Sequence, residues 1–397
     1  MENKNLLHNQ QDFSFVQGGP LFQILRRAKL TNDAMGLLYR RIVFISLFCW
    51  LPVVCLAAIE GTLAGNNVRV PCLLDADFHI RFLISVPLLI AAELVAHRRV
   101  LPMTGNFLKR GLIPDGAIDQ FNAAIGSALR LRNSVLAEVV LVVLVYAIGI
   151  FFVWQKYIAL DADTWQTINT ADGLVLSLAG KWFTYISLPV FQFLLLRWFF
   201  RIFIWSRFLW HVSRINLNLL ATHPDGLGGL GFLSGQGLTF FPLLLAYGFL
   251  LAGMIANRIF YQGAILSDFM VPVVLVVFFL VCLVFVPLLV FTPQLELTRR
   301  KGVAEYGALA AFYMRGFDAK WLRGGAPEEE QLIGSADIQS LADMGNSYKV
   351  VQEMGIVIFS KEVIIKMAFF ALLPITPLAL TMMPLEEIIK TVLGLLF

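Results

Sequence analysis

Apolar residues along this chain fall into seven long runs, roughly 42–59, 82–97, 134–154, 182–204, 238–257, 267–291 and 365–383, separated by polar and basic stretches. A helix needs about 20 apolar residues to cross the roughly 30 Å hydrocarbon core of a bilayer. Backbone groups in lipid must also be satisfied within the segment, so runs of this length predict membrane-spanning helices. The period-two alternation of an outer-membrane barrel is absent. The second run is the shortest and carries Pro87. The pattern therefore predicts an all-α membrane protein of about seven transmembrane helices.

Composition sharpens this. Of 397 residues, 58% are hydrophobic and 15% charged, against about 45–50% and about 25% in soluble domains. A soluble enzyme, a disordered chain and a disulfide-stapled secreted domain are all excluded. The net charge of +4 is too small to point to nucleic acid. Cys49 and Cys55 share one apolar run, Cys282 sits in another and Cys72 in a loop. None has metal spacing or an evident disulfide partner, so they read as small buried hydrophobes. The first forty residues are polar and basic without an apolar core, so no cleavable signal peptide is expected.

Basic residues set the expected orientation, because cytoplasmic loops carry the excess of Lys and Arg. Threaded over seven alternating spans, 23 of them fall on the N-terminal side and six on the other. The N-terminus is thus expected in the cytoplasm and the C-terminus outside. The chain then divides into a cytoplasmic N-terminal segment (1–41), the first six spans with long cytoplasmic helical extensions (42–292), a cytoplasmic helical segment (293–364), and the last span with its tail (365–397).

Two spans are expected to run on into the cytoplasm. Residues 117–133 lead without a breaker other than Gly126 into the third span, predicting one helix over 117–154, about 57 Å long. The fourth span is expected to continue to about residue 220. In 293–364, Ser335 can cap a helix opening at Ala336 and Asp337, with Ile338, Leu341, Tyr348, Val351 and Met354 on one face. GGAPEEE (324–330) reads as a solvated link before it. No internal repeat of the kind seen in many secondary transporters is evident.

Ionisable residues inside spans are functional suspects by default. Four qualify: Glu93, Glu138, Arg197 and Arg201. On the expected topology all four lie at similar depth near the inner face, and Arg197 and Arg201 share a helix face at i, i+4. Pairing is expected because an unpaired charge at that depth costs several kcal/mol. Such a layer is a candidate ion pathway or gate. The alternative is a structural cluster fixing spans two to four, or arginines reaching out to the inner headgroups.

The stretch ATHPDGLGGLGFLSGQG (221–237) is both glycine-rich and apolar. Pro224 ends the preceding helix. Gly226, Gly228, Gly229 and Gly231 allow positive φ and close backbone approach. The loop is a candidate re-entrant or ligand-binding element, with N–H groups that could cradle an anion, or a packing turn. His223 and Asp225 lack a third ligand, so no metal or other cofactor is expected; Asp225 is read as closing its own turn. No hydrolase motif is present. The aromatic run WFFRIFIWSRFLWH (198–211) reads as an interfacial belt with basic anchors, not a nucleic-acid surface.

HPDGLGGLGFL (223–233), GSADIQSLADMGNSYKVV (334–351) and GGPLFQILRRAKL (18–30) resemble segments of a group of bacterial multi-pass inner-membrane proteins. The resemblance implies a bacterial inner-membrane location and carries no activity with it. Seven spans with the N-terminus inside is also the layout of insect chemoreceptor channels, a similarity of layout alone. Together these features lead to the expectation of a homo-oligomeric ion or small-solute channel or transporter. The alternative is a membrane sensor or scaffold that binds a cytoplasmic protein partner or lipid through residues 293–364. No catalytic residues are identified.

Overall fold

The computed structural model describes residues 18–29, 37–65, 68–158, 164–170 and 173–382, with the side chains of 148–158, 169–170 and 173–174 outside that description. Among the described residues six helices are long and apolar enough to cross a membrane. In chain order the main elements are α1 (Pro20–Arg27), α2 (Leu38–Ile59), α3 (Ala76–Lys109), α4 (Ile118–Arg132) and α5 (Val135–Ile158). A hairpin of β1 (Thr167–Thr170) and β2 (Gly173–Leu176) follows. The chain continues with α6 (Leu178–Val212), α7 (Leu230–Gln262), α8 (Leu266–Leu322), α9 (Ala336–Gln352) and α10 (Lys361–Met382). The six are α2, α3, α6, α7, α8 and α10. The expected third span is α5, whose described apolar stretch, Val135–Ala147, is shorter.

The outward faces fit lipid. The most apolar window, mean hydropathy 3.4, lies in α8 and is only one-third buried, and Val271, Val274, Leu275 and Phe278 there are all exposed. An apolar surface of this extent is not stable against water. α8 runs on unbroken through 57 residues, about 85 Å at 1.5 Å per residue. Its distal part leaves the apolar zone and packs on α9.

Three expectations about helices are corrected. Residues 117–154 do not form one helix: the chain breaks between α4 and α5 at Asn133 and Ser134. The Ser134 hydroxyl accepts the Ala137 N–H at 3.2 Å, starting a new helix, while Asn133 Oδ1 accepts N–H groups from Gly19 (3.1 Å) and Arg132 Nε (3.0 Å). The fourth span stops at Val212 rather than near 220. There Gln294 donates to the Ser213 and Ile215 carbonyls, both at 2.7 Å, and holds the chain out of helical geometry. Ser335 does stand at the start of α9, but its hydroxyl makes no capping bond, and Ile338 is exposed while Val351 and Met354 are buried. Among the described residues the strands are confined to the short β1–β2 hairpin, whose register pairs Thr167 with Leu176.

A local repeat emerges that the sequence alone does not reveal. α3 and α6 each open with a side-chain cap, Asp75 accepting from the Phe78 N–H and Ser177 from the Gly180 N–H. Each continues with five α-helical residues and then five π-helical ones, Arg81–Ser85 and Phe183–Ser187. Each π turn ends in a buried serine whose hydroxyl donates to a carbonyl of another span: Ser85 to Ala246 (3.2 Å) and Ser187 to Cys49 (2.7 Å). A proline follows two residues later, Pro87 and Pro189. Proline lacks an N–H and crowds the carbonyl four residues back, so a widened turn there absorbs the conflict. At the second site the freed Tyr185 carbonyl accepts the Tyr146 hydroxyl at 3.3 Å.

At the end of α3 opposite the charge layer, Asp75 ties three elements together. Its carboxylate accepts from Phe78 N–H (3.0 Å), Asn257 Nδ2 (2.7 Å) and Trp165 Nε1 (2.8 Å). Phe78, Phe82, Trp165 and Phe183 pack edge-on or tilted around this knot with ring centroids 5.3–6.2 Å apart, a favourable arrangement for aromatic pairs.

Candidate functional site

The four intramembrane charges expected to share a depth do meet. Glu93 on α3 is 4% exposed. Arg201 Nη2 donates to its Oε1 at 2.7 Å, and Arg197 Nη1 lies 3.6 Å from the same oxygen. Arg197 Nη2 also reaches Glu138 Oε1 at 3.5 Å. The second oxygen of Glu93 is taken by Arg41 of α2 at 2.5 Å. α2, α3, α5 and α6 thus each send at least one charge into one buried layer.

Arg41 is not among the expected members. By sequence it is one of two adjacent arginines just before the first span and reads as an inner-face anchor. Arg40 is exposed as such an anchor would be, whereas Arg41 is 3% exposed. Consecutive helix positions differ by a third of a turn, so one of the pair turns inward. The local repeat places the charges in exchanged order. α2 and α3 supply an arginine then a glutamate; α5 and α6 supply a glutamate then arginines.

The layer is tied to the N-terminal segment as well. Glu138 Oε2 accepts the Leu21 N–H at 2.8 Å, a carboxylate at the first turn of α1 where it complements the helix dipole. Gly19 carries φ 88°, and a Cβ there would stand 3.1 Å from both Glu138 Oε1 and the Arg132 carbonyl, so only glycine fits. Arg201 also lies 5.0 Å from the Trp198 ring centre, and Trp198 Nε1 donates to the Leu89 carbonyl at 2.9 Å.

Three arginines face two carboxylates, leaving one positive charge in excess. Arg41 Nε finds no hydrogen-bond partner, and both contacts of Arg197 are longer than hydrogen bonds. Against these guanidinium groups lies a partly open cavity of about 270 Å³ whose remaining walls are almost wholly apolar, with Ile45, Ile90, Phe193 and Leu194 among them.

The glycine-rich loop is a clasp. Asp225 accepts N–H groups from Leu227 (2.9 Å), Gly229 (3.0 Å) and Gly231 (2.8 Å). The N–H groups that could have cradled an anion are therefore spent on the loop's own carboxylate. Gly226 and Gly228 hold φ of 64° and 63° and Gly229 101°, while a Cβ at Gly231 would stand 2.8 Å from Asp225. His223 Nδ1 lies 2.9 Å from Asp225 Oδ1. The Gly226 carbonyl accepts the Gly355 N–H at 2.8 Å and the Gly229 carbonyl accepts Arg110 Nη1 at 3.1 Å. Leu230 and Leu233 are buried, and Phe232 packs edge-on to Phe107. Among the described residues no cluster of three metal-ligating side chains occurs.

Burial pushes the Asp225 carboxyl up, but the three backbone donors and the neighbouring His223 outweigh it and hold it below the usual carboxylate range. A depressed folded-state pKa gives stability that is present above the unfolded value near 3.9 and is lost as pH falls through the folded one. The clasp of wild-type protein is therefore expected to protect the 227–231 amides from hydrogen exchange near neutral pH and to lose that protection in acid. In Asp225→Asn the protection should be weak at every pH; a wild-type profile in that variant would contradict the role given to Asp225.

The aromatic run departs from the expected interfacial belt. Trp198 and Trp205 are 2% and 1% exposed and belong to the core; Phe203 and Trp210 face out, the latter covered by Arg214 at 4.2 Å from its ring centre.

Comparison with known proteins finds no family model, curated protein or solved structure that matches this chain. Fold-level analogy thus contributes nothing, and function rests on the geometry of the charge layer.

Proposed function

We propose that the protein is a channel or carrier for an ion or small solute in a bacterial inner membrane, working as an assembly of identical subunits with the N-terminus in the cytoplasm. The observation that carries this reading is the layer itself. Five ionisable side chains from four helices converge away from water. A layer serving only to join helices is satisfied by balanced, fully hydrogen-bonded pairs. Here an arginine is in excess, Arg41 Nε has no hydrogen-bond partner, and Arg41 and Arg197 both line a cavity. Intramembrane charge of this kind marks solute paths in membrane proteins. Exposed Leu309, Phe312 and Met314 on the distal part of α8 support assembly through that region.

Flux into proteoliposomes tests the proposal, with Arg197→Ala as the paired variant. Removing Arg197 takes the layer from one excess positive charge to neutrality. Protein-dependent flux is expected, with anion preference in the wild type reduced roughly tenfold in the variant. Absence of flux for chloride, sodium, potassium and protons in folded protein removes the transport reading and leaves the sensor or scaffold alternative.

A further inference from the structure

We infer that the cavity beside the charge layer holds a single-chain amphiphilic anion, its carboxylate or phosphate head on Arg41 and Arg197 and its alkyl tail along the apolar wall. This rests on the layer being a working site, as proposed above, and names the class of molecule it handles.

The head end follows from charge and unused donors. Glu93 cannot absorb more positive charge, because Arg201 holds one oxygen at 2.7 Å and Arg41 the other at 2.5 Å. Arg197 sits between Glu93 and Glu138 at 3.6 and 3.5 Å, within ion-pair reach of both and hydrogen-bonded to neither. Arg41 is 3% exposed, lines the cavity, and has Nε without a partner. A buried donor left unmade is expensive, and charge-assisted bonds from guanidinium to a carboxylate or phosphate are among the strongest available. An anion between Arg41 and Arg197 would neutralise the excess charge, and both guanidinium groups line the cavity it would occupy.

The tail end follows from the walls. A bare inorganic anion would need polar groups on every side, yet beyond Arg41, Glu93, Arg197 and Tyr146, whose hydroxyl is given to the Tyr185 carbonyl, the lining is Leu21, Leu25, Ile45, Val145 and other apolar residues. The volume, about 270 Å³, lies at the small end of the range of about 300–1,000 Å³ for small-molecule sites. It suits one alkyl chain and not a pair. One wall is α1, whose Leu21 and Leu25 face the cavity while Arg26 and Arg27 are exposed. An amphipathic helix of that kind belongs at the membrane–water boundary, the level from which an amphiphile enters.

Equilibrium binding of radiolabelled dodecyl phosphate to the full chain in uncharged detergent tests the inference. One saturable site is expected, with dodecanol and inorganic phosphate each at least roughly tenfold weaker, since each lacks one half of the recognition. Arg41→Gln should weaken dodecyl phosphate by a similar factor while leaving dodecanol unchanged. Ile45→Trp fills the cavity and should abolish binding; Leu25→Trp, on the edge helix α1, does the same without touching the bundle interior, so a failure of Ile45→Trp to fold leaves the test intact. Displacement by phosphatidylglycerol in the micelle assigns the site to a membrane lipid, and persistence against it to a free single-chain solute. Dodecyl phosphate bound no tighter than dodecanol, or bound unchanged in Leu25→Trp, overturns the inference. Ion flux without dodecyl phosphate binding overturns it alone and spares the transport reading. Binding without flux does the reverse.

Discussion

Glu93→Gln is expected to be the most damaging single substitution in the charge layer. The amide keeps the shape of the carboxylate and removes its charge from among Arg41, Arg197 and Arg201, all of which are almost fully buried. Their excess positive charge rises from one to two, because Glu138 alone remains to balance them. Removing one partner of a buried ion pair costs on the order of 3–5 kcal/mol, since the other charge stays desolvated without compensation. The thermal midpoint in detergent should fall by on the order of 10 °C. Adding Arg201→Gln restores the wild-type charge balance, so the double variant should recover part of the loss even though it lacks two native side chains. Recovery of that sign is what separates a charge effect from a packing effect. A Glu93→Gln protein that melts with the wild type would show that water reaches the layer freely.

How much of this was legible in the sequence depends on what each inference needed. Depth along a straight helix follows from counting residues at 1.5 Å each, which is why Glu93, Glu138, Arg197 and Arg201 could be placed at one level and do meet. Rotation about the helix axis does not follow from counting. Arg40 and Arg41 are equivalent in sequence, and only the packing of α2 on its neighbours decides that Arg41 joins the layer. The same blindness put Trp198 and Trp205 at an interface when they belong to the core. Helix ends were missed where a distant side chain decides them: Gln294 captures the Ser213 and Ile215 carbonyls across some eighty positions of chain. Ser134 left a readable trace as a cap, hidden because residues on both sides of it continue into long helices. The repeat of α3 and α6 escaped for a related reason. It is carried by backbone geometry and by one serine and one proline in each copy, while its charged residues appear with their signs exchanged.

The remaining large effect concerns how α10 is held, and it reverses the usual sign of a glycine-to-alanine change. In a helix interior alanine is better than glycine by roughly 0.5–1 kcal/mol, because glycine loses more backbone entropy. Gly105 in α3 has nothing within 4 Å of where a Cβ would stand, so Gly105→Ala should raise the thermal midpoint slightly. Gly248 in α7 is a different case. A Cβ there would be 2.2 Å from the Ala371 carbonyl oxygen and 3.0 Å from the Pro374 ring, both on α10. The obstacle is backbone, which no rotamer change can move, so α10 must shift away from α7. Overpacking of this kind costs about 1–3 kcal/mol. The shift also loosens the seat of α10 on the bundle, for α10 packs chiefly on α7. Gly248→Ala is therefore expected to lower the midpoint and to open residues 361–382 to limited proteolysis, with Gly105→Ala leaving that segment protected. Were both substitutions to stabilise alike, the close approach of α7 to α10 would not exist in the folded protein.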